Sequence, residues 1–183
     1  MKRIPSSFSV RTFVAVSALI GAGLLVMFAV ANRVAAAGLE TPSARKAVPD
    51  FAVQTLDGKT WSLAAKKGQV VLINLFATWC PPCRAEMPGL VQTISIYGTK
   101  GVAALALSVD EGGADVVRPF AAKYKMSFPV ALQGAGPSPA DGVSSIPVTL
   151  LIDRDGRLAR TYVGMVSESQ LTRDLDALLQ EKP

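Results

Sequence analysis

The sequence predicts an α/β domain built on a central mixed β-sheet flanked by helices on both faces, with an N-terminal β-hairpin and, ahead of it, an N-terminal transmembrane helix. Three observations carry this expectation. Residues 70–76 (VVLINLF) and 102–109 (VAALALSV) are continuous apolar runs, the mark of strands buried on both faces. Between them Met87, Leu90, Val91 and Ile94 recur at helical spacing, so a helix joins the two strands and they run parallel. Finally, residues 13–31 form a run of 19 residues in which Ser17 is the one polar member.

From the N-terminus, residues 1–12 are a short tip with three basic residues, and the positive-inside rule keeps them in the cytoplasm. Residues 13–31 would span about 28 Å as a helix at about 1.5 Å per residue, close to the thickness of a hydrocarbon core. They read as a membrane anchor. A cleavable signal segment is the competing reading, because Ala35-Ala36-Ala37 has the small-residue pattern of a cleavage site. Either reading exports the C-terminal domain. Residues 32–46 are a linker, polar from Gly38 onward and containing Pro42, with an ordered N-terminal arm as the alternative. The globular domain covers residues 47–183. The net charge of +5 owes four charges to Lys2, Arg3, Arg11 and Arg33; from residue 39 on, 15 basic residues face 14 acidic ones. This near-neutral part offers no basic footprint for nucleic acid.

Within the domain, residues 51–56 and 60–63 flank Asp57-Gly58, a hairpin signal. The helix after the first buried strand runs to about Tyr97, and Pro88 inside it should introduce a kink. A second helix, about 115–125, turns Val116, Val117, Phe120 and Tyr124 inward. Residues 128–132 are a short strand and 134–139 a Gly/Pro-rich loop. Residues 148–152 and 157–163, separated by Asp153-Arg154-Asp155-Gly156, form an antiparallel pair. The last helix opens at Ser167, with Gln170 as the partner in a capping box, and buries Leu171, Leu175, Leu178 and Leu179.

The chemistry concentrates at Trp79-Cys80-Pro81-Pro82-Cys83, where the two cysteines of the chain stand three residues apart. A strand ending at Phe76 and a helix starting at the cysteines put Cys80 at a helix N-terminus, where free N–H groups and the helix dipole favour a thiolate. Cys80 is therefore the expected nucleophile. Cys83, one turn further on, can attack a mixed disulfide formed on Cys80. Pro81 and Pro82 occupy first-turn positions that need no N–H donor. Zinc requires more ligands than the chain supplies, since it has no other Cys and no His. The missing His also removes Ser-His-Asp and Cys-His catalysis. A structural disulfide this short would constrain the unfolded chain little.

The stretch from Asn74 to Pro88 (NLFATWCPPCRAEMP) resembles membrane-anchored thioredoxin-like proteins of the TlpA/ResA/CcmG type: an apolar strand, W-C-x-x-C, a basic residue, then Glu and Pro. The resemblance extends from about Val48 to the C-terminal helix. It implies a thioredoxin-like fold and a redox-active disulfide between Cys80 and Cys83. Glu86 resembles the acidic residue that relays a proton to or from the second cysteine, with a solvated helix glutamate as the alternative. Trp79, Ile146 and Pro147 would bind the substrate chain, Pro147 as a cis proline facing the cysteines. Asn74 departs from the buried Asp that thioredoxin carries there, and Val148 stands where many relatives have Thr.

The implied activity is that of a thiol-disulfide oxidoreductase, a periplasmic reductase of oxidised protein cysteines. Its substrate would be an apocytochrome c or a metal centre under assembly, its reductant a membrane thiol-electron transporter, and it needs no cofactor. Two other functions compete. One is a peroxiredoxin-like peroxidase, disfavoured because Ala77 stands where that class carries Thr or Ser. The other is a non-catalytic assembly or binding protein.

Overall fold

A computed structural model describes residues 38–134 and 136–181; the expected tip, the apolar run 13–31 and the first part of the linker lie outside the described residues. Among the described residues, no helix is long and apolar enough to cross a membrane.

The centre of the domain is β3 (Val70–Phe76), seven residues without an exposed member. It pairs in parallel with β4 (Val102–Ser108) on one side and antiparallel with β6 (Val148–Ile152) on the other. β5 (Val130–Leu132) extends the parallel side and β7 (Leu158–Val163) the antiparallel side, giving a five-stranded sheet in the order β5-β4-β3-β6-β7. A strand flanked on both edges and covered on both faces has no surface to make polar, which is why its sequence is one apolar run. β1 (Ala52–Gln54) and β2 (Thr60–Ser62) pair separately through the turn at Asp57-Gly58, where Gly58 takes a φ of +82°, a value that glycine adopts without steric cost.

Among the described residues three α-helices follow the strands: α1 (Pro81–Gly98), α2 (Gly113–Lys123) and α3 (Glu168–Gln180). Pro88 lies inside α1, which continues past it as one element of 18 residues. The layering departs from the expected helices on both faces. Met87, Leu90 and Ile94 of α1, Val117 and Phe120 of α2, and Leu171, Leu175 and Leu178 of α3 all join one apolar cluster with Leu72, Phe76, Ala104 and Leu151. The other face, with Val71, Ile73, Leu75, Leu105 and Leu150, is covered by Phe51, Val53, Trp61 and Leu63 of the hairpin region and by Ala140. Connection handedness explains this: β3 to β4 to β5 steps the same way twice, and right-handed crossovers then put both connecting helices on one side. On α2, Val116 is exposed (42%) rather than inward. The inward stripe is Val117, Phe120 and Tyr124, and the Phe120 ring stacks on Phe76 at 5.3 Å.

Ser167 caps α3, its Oγ accepting from the Gln170 N–H at 3.3 Å, while Gln170 Oε1 accepts from the Ser167 hydroxyl at 2.9 Å instead of reaching the Ser167 N–H. Asp174, 2% exposed among the leucines of α3, ties that helix to β7 by accepting from Arg160 (2.8 Å) and from the Tyr162 hydroxyl. Burial, and then the Asp174 carboxylate, push the Tyr162 hydroxyl above the usual tyrosine range.

Residues 38–48, which composition reads mostly as linker, run along the outer edge of β7. Glu40 N–H donates to Ala159 O (2.8 Å), Leu158 N–H to Lys46 O (2.9 Å) and Val48 N–H to Gly156 O (3.0 Å). These bonds occupy backbone groups that an edge strand otherwise leaves free to recruit another chain. Buried Arg45 fastens the arm, donating to Asp153 Oδ2 at 3.1 Å and to both Glu181 carboxylate oxygens at 2.6 and 2.7 Å. The neighbouring Arg154 caps the end of α3 by donating to the carbonyls of Leu178, Leu179 and Glu181. Replacing Arg45 strands the Asp153 carboxylate in a site only 10% open. Arg45→Met should therefore lower stability by about 2–3 kcal/mol in urea denaturation with an unchanged slope; a loss below about 0.5 kcal/mol would show that the arm holds without its arginine.

Candidate active site

β3 ends at Phe76, and the turn Ala77-Thr78-Trp79 leads directly into α1. Cys80 is the N-cap of α1, with extended backbone (φ −78°, ψ 113°), and Pro81 and Pro82 fill the first helical positions. The Cys80 sulfur is bonded to Cys83 and also accepts the Cys83 backbone N–H at 3.3 Å; the two Cα atoms are 5.3 Å apart. The nucleophile candidate thus lies where the orphan N–H groups of α1 converge.

The turn is held by a carboxylate the sequence does not single out. Asp110, two residues past β4, accepts from the Thr78 N–H (2.9 Å), the Thr78 hydroxyl (2.6 Å) and the Ser108 hydroxyl (2.7 Å). Val109 N–H adds a bond to Phe76 O at 2.9 Å. Thr78 just before the Trp is the one local hint of this anchor, and its partner is 32 residues away.

Ile146–Pro147 is a cis peptide, and it lies at the end of the loop that leads into β6. Ile146 O lies 3.8 Å from Cys80 Sγ, a packing contact in the disulfide, where the sulfur carries no proton. Gly164 N–H donates to Pro147 O at 2.9 Å and so ties this loop to the end of β7. Pro147 is buried, Ile146 half-buried, Cys83 fully buried, and Cys80 is 2% exposed. Trp79, by contrast, is 66% exposed, as are large parts of Val163 and Met165 on the strand end and loop beside Pro147. The fold therefore brings Cys80, Cys83, Ile146 and Pro147 together and leaves Trp79 on the surface next to them.

Glu86, three residues after Cys83, is buried beneath this site rather than solvated. Its Oε1 accepts from Asn74 Nδ2 at 2.9 Å and its Oε2 from the Val166 N–H at 3.3 Å. Asn74 Nδ2 also donates to Thr149 Oγ1 at 3.0 Å, across the β3–β6 pair in which residues 74 and 149 are partners. Burial pushes the Glu86 carboxyl up from its ordinary value, and the bonds from Asn74 and Val166 pull partly the other way. Among the described residues, no cluster of His, Cys, Asp and Glu is arranged to hold a metal ion. A groove of about 510 Å³ between the hairpin and β5 is lined by Leu56, Trp61, Met126 and Phe128, among others, and shares no residue with this site.

A family model described as "AhpC/TSA family" matches residues 44–174. The chain is 38% identical over 128 residues to the thiol-disulfide oxidoreductase ResA of Bacillus thuringiensis (strain Al Hakam), covering 69% of this chain and 73% of that one. It is 36% identical over 129 residues to the thioredoxin-like protein YneN of Bacillus subtilis (strain 168), covering 70% and 76%. Among solved structures, a thiol:disulfide interchange protein of the thioredoxin family from Chlorobium tepidum TLS superposes with a TM-score of 0.66 at 28% identity, covering 76% of this chain and 99% of that one.

Burial of Glu86 makes a prediction of definite sign. Its folded pKa is raised from 4.5, so between 4.5 and the raised value the folded state holds more proton than the unfolded state, and stability falls as pH rises through that window. The stability of the wild type relative to Glu86→Gln should therefore decline as pH increases from below 4.5 to neutrality. Parallel denaturation curves at several pH values will show it, and a constant difference between the two proteins would contradict it.

Proposed function

Because the chain belongs to the AhpC/TSA family and is a thiol-disulfide oxidoreductase of the ResA type, we propose that it acts as a periplasmic reductase of oxidised protein cysteines through the Cys80–Cys83 couple. The observation that carries this reading is the position of Cys80, whose sulfur caps α1 while bonded to Cys83. In the dithiol form, the same N–H groups and the helix dipole favour the Cys80 thiolate.

The reaction then has two displacements. The Cys80 thiolate attacks one sulfur of the substrate disulfide, forming a Cys80–substrate bond and releasing the other substrate sulfur as a thiolate. Glu86 takes the proton from the Cys83 thiol. The Cys83 thiolate attacks Cys80 Sγ, closes the Cys80–Cys83 disulfide and expels the second substrate thiolate. Two electrons have passed from the protein to the substrate, and its two released thiolates become thiols with the proton that Glu86 gives up and one from solvent. Trp79, Ile146 and Pro147 receive the substrate chain around the sulfurs, a role supported by the exposure of Trp79 and by the approach of Ile146 O to Cys80.

Residues 13–31 tether this chemistry outside the cytoplasm, a reading supported by their length and apolar composition. A membrane thiol-electron transporter restores the dithiol, and an apocytochrome c or a cysteine-containing metal centre under assembly is the substrate. Peroxide reduction is disfavoured because Ala77, buried three residues before Cys80, offers no hydroxyl.

With a disulfide-containing peptide as substrate, Cys83→Ser should accumulate a mixed disulfide on Cys80, whereas Cys80→Ser should neither turn over nor trap. Equal trapping by both variants would reject the assigned roles. Equilibrated against glutathione, the couple should have a potential of about −250 mV or below; a value near about −120 mV would make the protein an oxidant instead.

A further inference from the structure

Asn74 is the one polar residue of β3 and is fully buried, yet its side chain is only half satisfied. Nδ2 serves two acceptors, Glu86 Oε1 and Thr149 Oγ1, while Oδ1 is buried with no donor. A buried amide atom left unpaired loses its hydration without a replacement, so this arrangement calls for an explanation.

We propose that Asn74 and Thr149 form a positioning pair that lets Glu86 exchange its proton with Cys83 without losing its hydrogen-bond partner in either protonation state. The inference rests on the role of Glu86 as the proton relay of the proposed reaction. With Glu86 ionised, Nδ2 donates to the carboxylate and to the Thr149 hydroxyl, which accepts. Once Glu86 carries the proton, its O–H needs an acceptor where a donor stood. A half-turn of the Asn74 amide about χ2 supplies it: Oδ1 then accepts from the Glu86 O–H and from the Thr149 hydroxyl, which turns from acceptor to donor. One amide atom is unpaired in each state, Oδ1 in the first and Nδ2 in the second, so the exchange is close to balanced.

The amide and the hydroxyl can each both give and accept without a change of charge, whereas an ionised Asp at position 74 could only accept. A second carboxylate would oppose ionisation of Glu86 by like-charge repulsion. The other groups packed around Glu86 fit the same role. Val166 contributes a backbone N–H, and among the described residues no ion pair engages the carboxylate. The charged residues on the adjoining elements are Arg84, exposed on α1, and Glu168, Arg173, Asp174 and Asp176 on α3.

The test is the pH profile of disulfide reduction by the full-length protein, together with its thermal stability, for Asn74→Leu, Thr149→Val, Thr149→Ser and Glu86→Gln. Asn74→Leu removes the donor that stabilises the carboxylate, so the acid limb of the profile should move up by about one pH unit, the scale of one hydrogen bond to a charged group. Thr149→Val should move it in the same direction and Thr149→Ser should restore it. If Glu86→Gln abolishes the acid limb while Asn74→Leu and Thr149→Val leave it in place, the pair is only structural and the inference fails. If Glu86→Gln leaves the profile unchanged, the relay reading itself fails. Should Asn74→Leu not fold, the contrast between Thr149→Val and Thr149→Ser decides the matter alone.

Discussion

The structure depends on one strand having no free side. β3 is paired along both edges and covered on both faces, so every one of its seven residues is fixed by neighbours on at least two sides. Its direction aims the chain at the turn that carries Trp79 and Cys80, and its pairing with β4 and β6 sets where Asp110 and the Ile146–Pro147 peptide arrive. A dense interior transmits position because a displaced side chain has nowhere to go. The cysteines sit at the open end of that assembly, on a backbone that cannot drift far from the loop opposite.

The same constraint makes the buried polar residues costly and therefore informative. Only Asn74 interrupts the apolar sequence of β3, and it lies directly across the ladder from Thr149 and one helix layer from Glu86. The tyrosine–aspartate pair of β7 and α3 and the Arg45 cluster obey a different logic. They bind elements together at the margins of the core, with Arg160 beside the first and Glu181 in the second still part-exposed. Near the sulfurs the Asn74 amide links Thr149 to Glu86, and at the periphery polar groups attach one element to another.

Legible in the sequence is whatever repeats over short distances. The buried strands announce themselves as unbroken apolar runs, α1 and α3 as helical stripes, the hairpin turn as Asp57-Gly58, and the cysteine pair by its spacing and flanking residues. Long-range pairings leave no such trace. Arg45 meets partners 108 and 136 positions away, so its segment has the composition of a polar linker. Asp110 and Asp174 resemble ordinary surface acids for the same reason. The placement of all three helices against one face comes from strand order, which periodicity does not encode. Val116 defeats its expected inward placement because adjacent valines both suit an inward stripe, although only Val117 occupies it.

The near-complete burial of Cys80 in the disulfide form carries a kinetic meaning. A sulfur with so little open area is a narrow target, so small thiols exchange with it slowly although they still set its equilibrium state. Exchange speed passes instead to molecules large enough to settle on the exposed apolar rim and reach inward. The pair is in this sense kinetically insulated from the surrounding solution.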